Sequence, residues 1–246
     1  MIEQSAPNHT AGDRSDPAAR TRPRRHRWWR WLLAGVAAVV LLTVGAVAAF
    51  IKLTPGPAPL ALPTARASAP AGPASGSWVV TAGSAAGFRV AETALGLSND
   101  VVGRTSAVTG TLAILGDRVT SATFRVDLAA LRVNGKPQPQ LAKSLRTAQY
   151  PVATVTLVRP VTLGPAFADG AVVTVHAAAR LTVNGVTRPV TITVSGRRSG
   201  TALQVAGSIP VVMSRWGITE PAGFGPLGSL SSHGIAEFLL ILRQHA

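Results

Sequence analysis

Between Val173 and Val194 the chain alternates apolar and polar residues with a period of two. Val173, Val175, Ala177, Ala179, Leu181 and Val183 share one face, then Val190, Ile192 and Val194 share another, with Asn184-Gly185 in the link. Successive side chains of a strand point to opposite faces, and Asn-Gly suits the positive φ angles of a tight hairpin turn, so the pattern predicts two long paired strands. Thr120 to Leu128 repeats it, with Ala122, Phe124, Val126 and Leu128 on one face and Ser121, Thr123, Arg125 and Asp127 on the other. Further turns are marked by Gly116-Asp117, Asn134-Gly135, Asp169-Gly170 and Gly196 to Gly200, which gives about eight strands over residues 78–246. Strands this long favour an antiparallel barrel or a barrel-like sandwich, because closure removes the edges on which other chains would add. About eight strands leave room for side chains or for one small ligand. Two stretches interrupt the alternation. Lys136 to Tyr150 places Leu141, Leu145 and Ala148 at helical spacing and predicts a short helix or turn across one mouth. Ser214 to Ser232 is rich in Gly and Pro and predicts a long loop before a last strand over Gly234 to Arg243.

The first 77 residues follow different rules. Trp31 to Ile51 contains no charge over 21 residues, enough for one helix to cross a hydrocarbon core of about 30 Å. Arg20, Arg22, Arg24, Arg25, Arg27 and Arg30 precede it and only Lys52 follows, with Trp28, Trp29 and Trp31 at the boundary. The positive-inside bias then predicts a single-pass inner-membrane protein, with residues 1–30 as a basic cytoplasmic tail and everything after the span outside the cytoplasm. A cleaved signal peptide would need the Ala46-Val47-Ala48 site to follow the apolar core, but it lies within it. Residues 52–77 are dominated by Pro, Ala, Gly and Ser and predict an extended spacer with no core of its own. The chain carries 24 Lys and Arg against 10 Asp and Glu. In residues 78–246, however, the basic residues are scattered, with only Arg197-Arg198 adjacent, and the arginine cluster before the span suits anionic headgroups, so no nucleic-acid partner is expected.

Several segments carry a resemblance. They are Gly83-Ser84-Ala85-Ala86-Gly87-Phe88-Arg89-Val90, Val102-Gly103-Arg104-Thr105-Ser106, Phe124-Arg125-Val126-Asp127-Leu128, Ser144-Leu145-Arg146-Thr147 leading to Tyr150-Pro151, Leu181-Thr182-Val183-Asn184-Gly185-Val186-Thr187, and Arg215-Trp216-Gly217-Ile218. In order and spacing, residues 78–246 resemble the YceI-like family of bacterial envelope proteins. The resemblance implies an all-β, lipocalin-like antiparallel barrel with a short capping helix, holding a polyisoprenoid or other long-chain lipid. It does not reach residues 1–77. Where many family members carry an acidic residue beside an arginine at the start of the capping helix, this chain has Asn134 to Gln140 with neither.

If inward faces follow the alternation, Phe124, Val126, Leu128, Val155, Leu157, Val175, Leu181, Ile192 and Val194 line the interior, with Phe88, Trp216 and Phe238 as larger walls. Such residues can also fill a solid core, which would make the domain a structural or protein-interaction module; the resemblance favours a lined lumen. No catalytic residue, metal or cofactor is expected. With no cysteine there is no thiolate ligand or nucleophile, and the three histidines of the domain, His176, His233 and His245, stand at no metal spacing. His233, with Glu220 and Ser231 near it in sequence, is the one candidate for hydrolysis. Gly223 to Gly228 matches G-x-G-x-x-G but contains Pro226 and lacks the flanking strand and helix of a dinucleotide site.

Overall fold

The computed structural model describes residues 35, 36, 38, 39, 41, 42, 56–64, 67–94, 97–219 and 228–245. The chain divides into two compact units, Met1–Leu53 and Thr54–Ala246. In the first, the described residues between 35 and 42 are helical and exposed. Among the described residues no helix is long and apolar enough to cross a membrane. The basic tail and most of the apolar run 31–51 lie outside the described residues.

Among the described residues, the second unit holds twelve strands. They are β1 (Gly76–Val80), β2 (Ala85–Ala94), β3 (Leu97–Thr105), β4 (Val108–Leu115), β5 (Arg118–Asp127), β6 (Arg132–Val133), β7 (Val152–Leu157), β8 (Val161–Thr162), β9 (Val173–Val183), β10 (Val186–Ser199), β11 (Ala202–Val212) and β12 (Gly228–Gln244). One short helix, α1 (Pro139–Ser144), and two 3-10 turns, Pro165–Phe167 and Met213–Trp216, complete it. β1 and β2 both pair with β12, and their hairpin partners β4 and β3 follow the same line, so each couple forms one kinked stave. The ring then runs through β5, β7, β9, β10 and β11 back to β12, an eight-stranded antiparallel closed barrel. The kink breaks the ladder, and buried hydroxyls repair it. Ser84 donates to the carbonyl of Thr81 (2.8 Å) and accepts from the amide of Ile241 (2.9 Å), while Thr105 accepts from the amide of Ala107 (3.0 Å).

Three expectations are corrected. Gly196 to Ser199 do not turn but continue β10, which reverses only at Gly200 and Thr201; pairing with β11 satisfies a backbone that the local sequence marked as a turn. β12 begins at Gly228, not Gly234, because its first residues pair with the far end of β2. The Pro/Ala-rich residues 52–77 are not simply a free spacer. β1 starts at Gly76, and residues 56–64 and 67–75 lie along the barrel as a strap. Arg89 donates to the carbonyl of Pro57 (2.6 Å), Arg104 to that of Ala58, and Arg197 to that of Pro63 (2.7 Å). Proline lacks an N–H but keeps its carbonyl, and arginine has only donors, so a Pro-rich segment and an arginine-bearing sheet face are complementary.

Candidate functional site

Residues directly opposite in an antiparallel pair share a face, so the register assigns the interior. Val194 faces Val175, Phe124 faces Val155, and Val205 and Leu240 are likewise opposite. At the end where β1 starts and β12 finishes, the inward residues are sealed: Trp78 is 1% exposed, Leu203 2%, Phe167 4% and Leu242 0%. Arg198 points inward there as the partner of Leu203. It donates to the carbonyls of Ala168 (3.1 Å), Ala71 (3.0 Å) and Gly72, which ties the strap and the Pro165–Phe167 turn across the opening. Toward the other end a second buried cluster gathers Ala179, Leu181, Ile192, Ile209 and Trp216. The indole N–H of Trp216 donates to the carbonyl of Leu181 (3.2 Å), and the Asn184 amide donates to the carbonyls of Trp216 (3.1 Å) and Gly217 (2.9 Å). The Asn-Gly turn thus holds the tryptophan as a wall.

Between these clusters several inward residues are half-buried, beside buried ones such as Val90 and Ala177. Phe88, Phe124, Val126, Val155, Leu157, Val175, Val194 and Phe238 all retain water-accessible surface although they face into a closed ring. Val194 and Phe238 pack against both buried clusters, and the partly exposed apolar surface of the eight lies on the inward face. Three glycines make room for the rings among them. Phe88 is paired with Gly103, Phe124 with Gly110 and Phe238 with Gly207. A Cβ on Gly110 would stand 2.7 Å from Cδ1 of Phe124, one on Gly207 2.5 Å from Cζ of Phe238, and one on Gly103 would overlap the ring of Phe88. Each ring therefore lies flat across the neighbouring strand instead of projecting into the lumen. The alternation offered no signal for this, because the glycine and its phenylalanine meet only through register.

Of the residues expected to line the interior, those eight share the half-buried middle. Leu181, Ile192 and Trp216 belong to the buried cluster at one end. Leu128 lies beyond the end of β5, half-buried, with its amide donating to the carbonyl of Pro151 (2.7 Å). Of the hydrolytic candidates, His233 donates its amide to the Ser231 hydroxyl (3.1 Å). His176 is exposed, with Nδ1 3.3 Å from the Thr193 hydroxyl; His233 is exposed, with Nδ1 2.9 Å from that of Ser232; Glu220 lies outside the described residues. Among the described residues no group of His, Cys, Asp and Glu could hold a metal ion.

A family model described as YceI-like domain matches residues 78–233. The chain belongs to the YceI-like family. Comparison with curated proteins gives no match. Among solved structures, this YceI-like chain is similar to a polyisoprenoid binding domain from Saccharophagus degradans implicated in plant cell wall breakdown. The two share 20% identity with a TM-score of 0.54, over 70% of this chain and 99% of that one. It is also similar to BcnA from Burkholderia cenocepacia, at 16% identity and a TM-score of 0.46, over 63% of this chain and 95% of that one. The YceI-like match begins at Trp78 and so leaves the strap outside it, although the strap closes one end of the barrel.

Proposed function

We propose that this YceI-like barrel binds an isoprenoid or similar long-chain lipid in its lumen, lined by Phe88, Phe124, Val126, Val155, Leu157, Val175, Val194 and Phe238. The observation that carries the reading is the half-buried apolar middle between two sealed clusters. Each methylene transferred from water into such a lining contributes about 0.8 kcal/mol, so a chain of isoprene units gains affinity with length and needs few polar contacts. The apolar run 31–51 with arginines before it supports a single-pass anchor that holds the barrel outside the cytoplasm.

The test is native mass spectrometry with organic extraction on residues 54–246, secreted into a bacterial envelope and purified without detergent. A co-purifying species of isoprenoid mass is expected, and Val175→Asp should abolish it while leaving the circular dichroism of a β-barrel. A clean apo mass, unchanged after incubation with polyprenyl lipids, would overturn the reading and leave a barrel that serves protein contacts. For the anchor, a reporter active only outside the cytoplasm, fused after Ala246, should be active; silence would overturn the orientation.

A further inference from the structure

In an up-and-down barrel the chain's turns fall alternately at two ends, and one end carries a patch of exposed cations set apart from the acids Glu92, Asp100 and Asp127 of the same end. The end that carries the β9–β10 turn, α1 and the Met213–Trp216 turn presents Lys143, Arg146, Arg188 and Arg215, all exposed. They form one neighbourhood around Asn184-Gly185. The Tyr150 ring packs on Gly185, where a Cβ would stand 2.5 Å from its Cε1, and the Arg146 guanidinium lies 4.9 Å above the centre of that ring. Arg188 donates from Nε to the carbonyl of Arg215 (3.3 Å), whose own guanidinium is 5.7 Å from the Trp216 ring. Among the described residues none of these cations has a carboxylate within ion-pair distance, since the ion pairs there join only Arg89, Arg104, Asp100 and Glu237. Asp127, the nearest acid along β5, spends its carboxylate on the amides of Ala129 (2.8 Å) and Ala130 (3.3 Å).

Two observations say what such a patch faces. Arg146 is held at φ 50°, a left-handed conformation unfavourable for a non-glycine residue, at a position after α1 where glycine would be free of strain. The strain places a cation, over an aromatic ring, at the edge of the barrel. The chain also arrives at this end: the first described strap residues, Gly56 and Pro57, share a surface groove with Ser98, Asn99 and Asp100 at the start of β3. Exposed cations gathered on one outward patch, each on its own flexible side chain, are complementary to a plane of negative charge.

We propose that this end of the barrel is a docking face for an anionic phospholipid bilayer, with Arg146, Arg188 and Arg215 as the contact residues. The opposite end carries Arg118 at the start of β5 and Arg243 near the end of β12, with Arg159 just after β7. The docking face does not depend on what the lumen holds, so vesicle binding and lipid extraction can fail separately.

Among the described residues every strand, both buried clusters and the strap lie within residues 54–246, a compact unit of its own, which is the form to test. In vesicle flotation it should bind phosphatidylcholine mixed with phosphatidylglycerol at low salt, leave pure phosphatidylcholine unbound, and detach as salt rises. The triple variant R146E/R188E/R215E should lose about 100-fold in partitioning, from roughly fivefold per basic residue near an anionic surface. A second triple, R118E/R159E/R243E, makes the same change in net charge at the other end and should bind as the parent does. Thermal unfolding checks that both are folded, and R188E alone, on an exposed site, serves if the triple is not. Equal losses in the two triples would reduce the effect to overall charge and overturn the proposal, as would absent binding or equal binding to uncharged vesicles.

Discussion

At the scale of single residues, the lumen rests on pairs that no local pattern reveals. Phe238 lies across Gly207, so Gly207→Ala must either displace that ring or shift β11, where the Thr193 carbonyl is also 2.8 Å from the added Cβ. Overpacking of this kind costs roughly 1–3 kcal/mol. Gly207→Ala should therefore lower the urea midpoint and weaken lipid retention, and Phe238→Ala in the same chain should relieve part of the loss. A coupling of about 0.5 kcal/mol or more in that double-mutant cycle is the expected result, and strict additivity would show that the ring and the glycine do not constrain each other. Asn184 acts differently. Its amide holds the carbonyls of Trp216 and Gly217 from a residue 3% exposed, so Asn184→Ala leaves the buried carbonyl of Trp216 and the part-buried one of Gly217 without their donor. A loss of about 2 kcal/mol is expected in urea unfolding, with faster quenching of tryptophan fluorescence as the indole becomes accessible.

At the scale of elements, the strap is the least conventional part of the molecule. It is held by a charged cluster on the outer face of β2, β3 and β12. Glu237, 4% exposed, lies 3.0 Å from Arg104 and 3.8 Å from Arg89, and accepts from the amide of Leu60 (3.3 Å). Removing the carboxylate leaves Arg104 without an acid and Arg89 with Asp100 alone, the two guanidinium groups side by side under the strap. Glu237→Ala should destabilise by about 3 kcal/mol, as expected when a buried ion pair loses one partner. It should also open residues 56–75 to proteolysis before the barrel itself is cut. Cleavage there no faster than in the parent would mean that the strap is held by its other contacts alone.

At the scale of the whole molecule, the barrel has one end closed by its own approach segment and one end with a patch of exposed cations. Arg198 shows what the closure requires. A guanidinium 5% exposed, facing into a barrel end with no carboxylate bonded to it among the described residues, has its N–H groups satisfied by the carbonyls of Ala71, Gly72 and Ala168. A chain trimmed to residues 78–246 loses two of those three acceptors along with the first two residues of β1. It should be less stable than residues 54–246 by about 3 kcal/mol or more in urea unfolding. Equal stability of the two would show that the strap merely rests on the barrel.

Strand identity and facing were legible in the chain because alternation is a local property. Val173 to Val183 is β9 as the pattern indicates, and Phe124 and Val126 face inward as their spacing implies. The Asn184-Gly185 turn was equally readable, since only a few residue types accept its positive φ angles. The remaining features depend on residues far apart. Val80 pairs with Leu242 to close the ring, Gly103 yields to Phe88, and the carbonyl of Pro57 finds Arg89. A segment rich in proline looks inert along its own length because it lacks donors to bond with itself. Its acceptors acquire partners only when the barrel brings arginines from β2, β3 and β10 to one surface, and that arrangement exists only in the closed fold.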